Sequence, residues 1–184
     1  DLAQAARIAE NAKVQRPGVC NSMETMLVHQ AVIGPMVEEL AKMPGMAKVA
    51  FKACPISAPL LEAAFPGRVE AATGKHYATE YLDLILNVRA VSCFEEAVLH
   101  IERYGSKHSE AILTRDEKLA RQFQNEIDAA AVYWNASTRF TDGFELGLGG
   151  ELGISTQKLH VRGPVGLREL TSIRWVIDGE GQIR

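Results

Sequence analysis

Apolar residues at Leu2, Ala5, Ala6, Ile8, Ala9 and Ala12 draw one stripe along a helix over residues 2–15, which Arg16, Pro17 and Gly18 bring to an end. A second stripe follows Cys20: Met23, Met26, Leu27, Ala31 and Val32 keep helical spacing. It predicts a helix over residues 22–40, disturbed at Gly34-Pro35 because proline removes a backbone donor. The period then changes to two. Over residues 48–54, Val49, Phe51 and Ala53 alternate with Lys48, Ala50 and Lys52, the pattern of a short strand, and residues 58–65 read as a brief helix.

From residue 84 the chain reads strand, helix, strand, helix, strand. LILNVRAV is the first strand; Ser92 with Glu95 then forms a capping box that opens a helix, which Gly105 stops. Residues 109–113 are a second strand, Thr114 with Glu117 makes another capping box, and AAVYWN is the third strand. This alternation predicts an α/β fold, a parallel sheet covered by helices. Residues 136–154 carry five glycines, too many for a regular element, and read as a loop held against a ligand or another chain segment. Residues 167–170 suit a helical turn. Residues 172–177 alternate like a strand, with Ile173, Trp175 and Ile177 on one apolar face, and suit an edge that pairs with a second chain.

Composition narrows the class. The 184 residues are 47% hydrophobic and 23% charged with a formal charge of −3, the profile of a globular domain with a sizeable core. No apolar run approaches the roughly 18 residues of a membrane span and no signal-peptide pattern is present, so a cytoplasmic protein is expected. Basic residues are scattered, which argues against a nucleic-acid surface. Cys20, Cys54 and Cys93 match no disulfide framework or zinc knuckle, and the five histidines form no metal-binding pair, so no metal is expected. The GLGG run lacks the dinucleotide fingerprint spacing. Asp1 stands within a helical pattern, which raises the expectation of a part of something longer.

The candidate chemistry centres on Cys20, in PGVCNSMETMLVH. At the start of the expected helix, free amide donors and the helix dipole would favour its thiolate. Such a cysteine suits a Cys-His hydrolase, with His29, His100 or His108 as base, or an enzyme whose thiolate takes up an acyl group for reduction. Cys93, on a helix's first turn, is a rival nucleophile better suited to packing, and Cys54 reads as core or loop.

Six blocks in order, PGVCNSMETMLVH, EYLDLIL, ERYGSKHSEAI, VYWNASTRFTDG, ELGLGGELGISTQKLHVRGPVGL and GEGQIR, resemble the C-terminal half of the gamma-glutamyl phosphate reductases (glutamate-5-semialdehyde dehydrogenases), in the aldehyde dehydrogenase superfamily. The resemblance implies an aldehyde dehydrogenase-like catalytic domain over residues 1–130, a glycine-rich return segment over 131–160 and a C-terminal oligomerisation arm over 161–184. It implies that Cys20 attacks an acyl phosphate and that NADPH reduces the resulting thioester to glutamate 5-semialdehyde in proline biosynthesis, with a homo-oligomer and a functional pairing with glutamate 5-kinase. In EYLD, Glu80 matches the acidic residue that binds the nicotinamide ribose, although a lone Glu is more commonly a solvated loop carboxylate. Arg139 is placed to hold a substrate carboxylate or phosphate, with Ser137, Thr138, His108 and Ser109 as weaker substrate-binding candidates that would equally serve their own loops. Asn21 stands beside the nucleophile as a second catalytic candidate or as a simple cap. Most cofactor contacts are expected in the family's other half, leaving this chain inactive alone. The competing expectations are another acylating aldehyde dehydrogenase and a non-catalytic assembly module.

Overall fold

The computed structural model describes all 184 residues. Helix α1 (Leu2–Val14) forms where the first stripe predicts it, and Asp1 caps it by accepting from the Gln4 amide at 3.0 Å. The second stripe does not form the expected helix over residues 22–40. Its first part is a strand, β1 (Thr25–His29), and the helix is confined to α2 (Ile33–Ala41). Gly34 and Pro35 therefore lie in the first turn of α2, where the missing proline N–H would have no helical partner anyway.

The cause of that difference is a pairing to residues far along the chain. β1 runs parallel to β4 (Ile85–Val91), with Thr25 opposite Asn87 and His29 opposite Val91. The buried Asn87 amide donates to the Glu24 carbonyl at 3.1 Å and to the Thr25 hydroxyl at 3.2 Å, which fixes the register. β2 (Ala50–Ala53) and β3 (Val69–Ala71) complete a parallel four-stranded sheet in the order β1-β4-β2-β3. The short helix α3 (Ala58–Ala64) links β2 to β3, and α4 (Gly74–Tyr77) precedes β4. Ala6 and Ala9 of α1, Met36 and Leu40 of α2, and Phe51, Leu86 and Val88 of the sheet form one apolar core.

Helix α5 (Phe94–Tyr104), β5 (Ser109–Ile112), α6 (Glu117–Glu126) and β6 (Ala131–Trp134) follow in the expected order. β5 and β6 pair in parallel with each other only, so the alternation expected to extend one sheet builds two. Both predicted capping boxes are displaced. Glu96, rather than Glu95, accepts from the Ser92 amide and hydroxyl at 2.8 and 2.9 Å, because Cys93 is the residue at the cap. Asp116, rather than Thr114, accepts from the Lys118 and Leu119 amides at the start of α6.

The glycine-rich segment folds on itself. A side chain at Gly143 would come within 2.6 Å of the Gly150 carbonyl, and the Gly143 amide donates to Glu151 at 2.8 Å. β7 (Gly153–Ser155) and β8 (Gly163–Val165) then form an antiparallel ribbon. The turn over residues 167–170 is present, but the strand expected at 172–177 is not formed, since no strand of this chain lies beside it. Ile173 and Trp175 are 89% and 86% exposed.

Candidate active site

Cys20 lies in a turn closed by the Ser22 amide donating to the Val19 carbonyl at 3.0 Å, not at a helix start, so the helix-dipole argument does not apply to it. The backbone amides of Cys20 and Asn21 favour the thiolate. Partial burial, followed by the carboxylates of Glu151 and Glu80, outweighs them and pushes the thiol up. Cys20 and Cys93 are exposed free thiols, whereas Cys54 is buried and accepts from the Ala90 amide and the Ser57 hydroxyl, each at 3.3 Å.

The Asn21 side chain is occupied in holding this turn. Its amide donates to the Thr141 carbonyl at 2.9 Å and to that of Arg139 at 3.4 Å, and its oxygen accepts from the Arg139 guanidinium. Arg139 also donates to Gln15 at 3.0 Å, and the Thr138 hydroxyl donates to the Asn21 carbonyl at 2.7 Å. The loop after β6 thus clamps the cysteine turn across more than a hundred residues of sequence.

A cavity of about 450 Å³ opens beside Cys20. Of the residues singled out from sequence, Cys20, Asn21, Glu80, His100, Ser109 and Thr138 line it; His29, Ser137, His108 and Arg139 do not. Ser137 is buried and caps its own turn by accepting from the Arg139 amide at 3.3 Å. His108 sits one contact behind the wall, its Nδ1 2.7 Å from the Ser109 hydroxyl. That hydroxyl bonds Thr141 at 2.7 Å, and Thr141 in turn bonds Tyr133 at 2.7 Å. Burial lowers the pKa of His108 and leaves its Nε2 without a partner.

Sequence reasoning missed several neighbours of Cys20. Glu24 lines the cavity and pairs with the fully buried Lys13 at 3.2 Å, burial being the dominant influence on both groups: it lowers the lysine and raises the carboxyl. His100, by contrast, is one of the bases the sequence offered for Cys20; it is buried with both ring nitrogens unpartnered, packs between Tyr77 and Tyr104 with ring centroids 4.8 Å from each, and burial holds its pKa at about 4. Glu110 lines the cavity from β5, and burial pushes its carboxyl up to about 7. One signal was available for it. Strand alternation sets Glu110 on the same face as Ile112, a charge in apolar phase. Nothing local marked Glu151, which reaches Cys20 only through the fold of the glycine-rich segment.

No protein-family model matches the chain. Over all 184 residues it is 54% identical to the gamma-glutamyl phosphate reductase of Heliobacterium modesticaldum and 53% identical to that of Thermus thermophilus. The chain spans 43% of the length of these curated relatives. The crystal structure of gamma-glutamyl phosphate reductase from Thermotoga maritima superposes over the whole chain with a TM-score of 0.87 at 45% identity, covering 43% of that protein. An acetylating aldehyde dehydrogenase from Geobacillus thermoglucosidasius shares the fold, with a TM-score of 0.72 at 22% identity over the whole chain and 49% of its own. These likenesses run from Asp1 to Arg184: along its whole length the chain is similar to 43% of the length of these gamma-glutamyl phosphate reductases, and it shares their aldehyde dehydrogenase-like α/β fold.

Proposed function

We propose that this chain supplies the nucleophile and acyl pocket of a gamma-glutamyl phosphate reductase acting in proline biosynthesis. The observation that carries the reading is Cys20, an exposed thiol lining the 450 Å³ cavity, whose thiolate is favoured by its own backbone amide and that of Asn21. The Cys20 thiolate attacks the acyl carbon of gamma-glutamyl phosphate. The carbonyl oxygen takes up negative charge against the Cys20 and Asn21 amides, and collapse expels phosphate to leave a thioester on the sulfur. Asn21, Thr138 and Arg139 keep the turn in the geometry this requires.

Glu80, exposed at the cavity beside Cys20, fits the part of a carboxylate that accepts hydrogen bonds from the ribose of a nicotinamide cofactor. When bound, NADPH supplies the hydride that reduces the thioester to glutamate 5-semialdehyde. The 184 residues alone are expected to lack turnover, since no dinucleotide-binding fingerprint occurs in them. A homo-oligomer joined through residues 161–184, and a functional pairing with glutamate 5-kinase that delivers the labile acyl phosphate, belong to the same proposal. The three free cysteines suit a reducing, cytoplasmic compartment.

The test generates gamma-glutamyl phosphate in place with glutamate 5-kinase and ATP and maps acylated peptides of the chain by mass spectrometry. A gamma-glutamyl thioester on the Cys20 peptide, absent from Cys20→Ser, is the expected result. Acylation of Cys93 to the same extent, or of neither, overturns the reading, and NADPH oxidation by these residues alone overturns the placing of the cofactor contacts.

A further inference from the structure

The cavity beside Cys20 has an unbalanced lining. Glu24, Glu80 and Glu110 contribute carboxylates to it, and no lysine or arginine does. Two of the three are accounted for: Lys13 neutralises Glu24, and Glu80 is exposed to solvent. Glu110 is different. It is half-buried on β5 and takes part in none of the molecule's ion pairs. Burial acts on its carboxyl with no opposing charge or donor. The backbone is shaped to admit it, since a side chain at Gly105 would meet a Glu110 carboxylate oxygen at 2.9 Å. His100, the one basic group in the lining, stays neutral down to about pH 4 and cannot serve as its counter-ion near neutrality.

We propose that Glu110 is a specificity-determining residue that binds the ammonium group of an α-amino acyl substrate while Cys20, in the same cavity lining, holds the acyl carbon. The proposal rests on the reading of Cys20 as the acyl acceptor and deepens it by naming which part of the substrate is selected. A half-buried carboxyl without a partner is poorly placed to hold its charge, so near and above about pH 7 a cationic ligand that supplies a counter-charge gains more there than at a fully solvated acid. A plain dicarboxylic acyl group of the same length offers no such charge and leaves the acid unpaired. The selection therefore works by penalising the analogue that lacks the amine as well as by attracting the one that has it.

Two stable amides serve as probes: L-glutamine, which carries the ammonium, and glutaric acid monoamide, which does not. Each is titrated for protection of Cys20 against iodoacetamide in the 184-residue chain. L-glutamine should protect at about tenfold lower concentration than the monoamide, the gain of one charge-assisted contact. Glu110→Gln should abolish that preference by weakening protection by L-glutamine, while protection by the monoamide stays as strong or strengthens, which also reports that the pocket is intact. A preference that survives Glu110→Gln overturns the ammonium assignment alone. Loss of protection by both probes in the variant makes Glu110 a structural residue and overturns it too. Failure of either probe to protect the unaltered chain overturns the acyl-pocket reading, and the assignment with it.

Discussion

The four-stranded sheet layer and the segment after Thr141 contain similar apolar side chains and use them oppositely. In the sheet layer the apolar positions keep one phase along each element, so Leu40, Phe51, Leu86 and Val88 meet in a core closed to water. After Thr141 no apolar side chain is buried; Leu152, Leu159, Leu167, Ile177 and Ile183 all stand in solvent. The five glycines of residues 136–154 break the period that would have gathered the leucines among them. Apolar content alone does not make a core, because burial needs a repeated direction as well as a preference for it. Surface left exposed in this way is available to another chain.

The comparison is most directly broken by one substitution in each region. Leu86→Ala, at a fully buried position, should cost about 3 kcal/mol in urea unfolding, the transfer term plus the cavity left behind. Trp175→Asp should change stability by less than about 0.5 kcal/mol and instead reduce association in light scattering. A loss from Trp175→Asp as large as that from Leu86→Ala would erase the distinction between the two regions.

A smaller effect comes from the two groups buried at the cavity with opposite preferences. His100 stays neutral in the fold to about pH 4 but takes a proton near 6.5 when unfolded, so its contribution is lost as pH falls through that window. Glu110 stays protonated in the fold up to about pH 7 against 4.5 unfolded, so stability is lost as pH rises through its window. Each slope amounts to roughly 2 kcal/mol, and they oppose one another. Unfolding midpoints at pH 4.5 and 6.5 should therefore differ little in the unaltered chain. Glu110→Gln should make it less stable at the lower pH, and His100→Phe more stable there; variants that both leave the profile flat would show that neither group is buried as described.

The smallest effect tests whether the exposed segment reaches the site at all. Glu151 helps hold the Cys20 thiol up, so Glu151→Gln should speed alkylation of Cys20 near neutral pH by about threefold. The glutamine oxygen can still accept from the Gly143 amide, which leaves the loop in place. An unchanged rate would detach the glycine-rich segment from the chemistry of Cys20.

The sequence by itself determined the elements whose pattern was long or capped. The stripe marked α1, cap signals within two residues of the true caps marked α5 and α6, alternation marked β2, the run LILNVRAV marked β4, and their order marked the parallel α/β class. The sequence also singled out Cys20, Asn21, Glu80, His100, Ser109 and Thr138, which the fold brings to one cavity. Residues 23–32 were beyond it, because a short apolar run satisfies the helical and the strand period alike, and pairing with Asn87 and its neighbours decided the matter. The electrostatics of Cys20 were beyond it for the same reason. They depend on a turn rather than a helix start, on Glu151 folded back from the far end of the chain, and on how much water the cavity walls exclude. Local pattern acts through neighbours in sequence, whereas a pKa, a clamp such as Asn21 with Thr141, or an unpaired acid such as Glu110 is set by neighbours in space, and only the tertiary structure chose those.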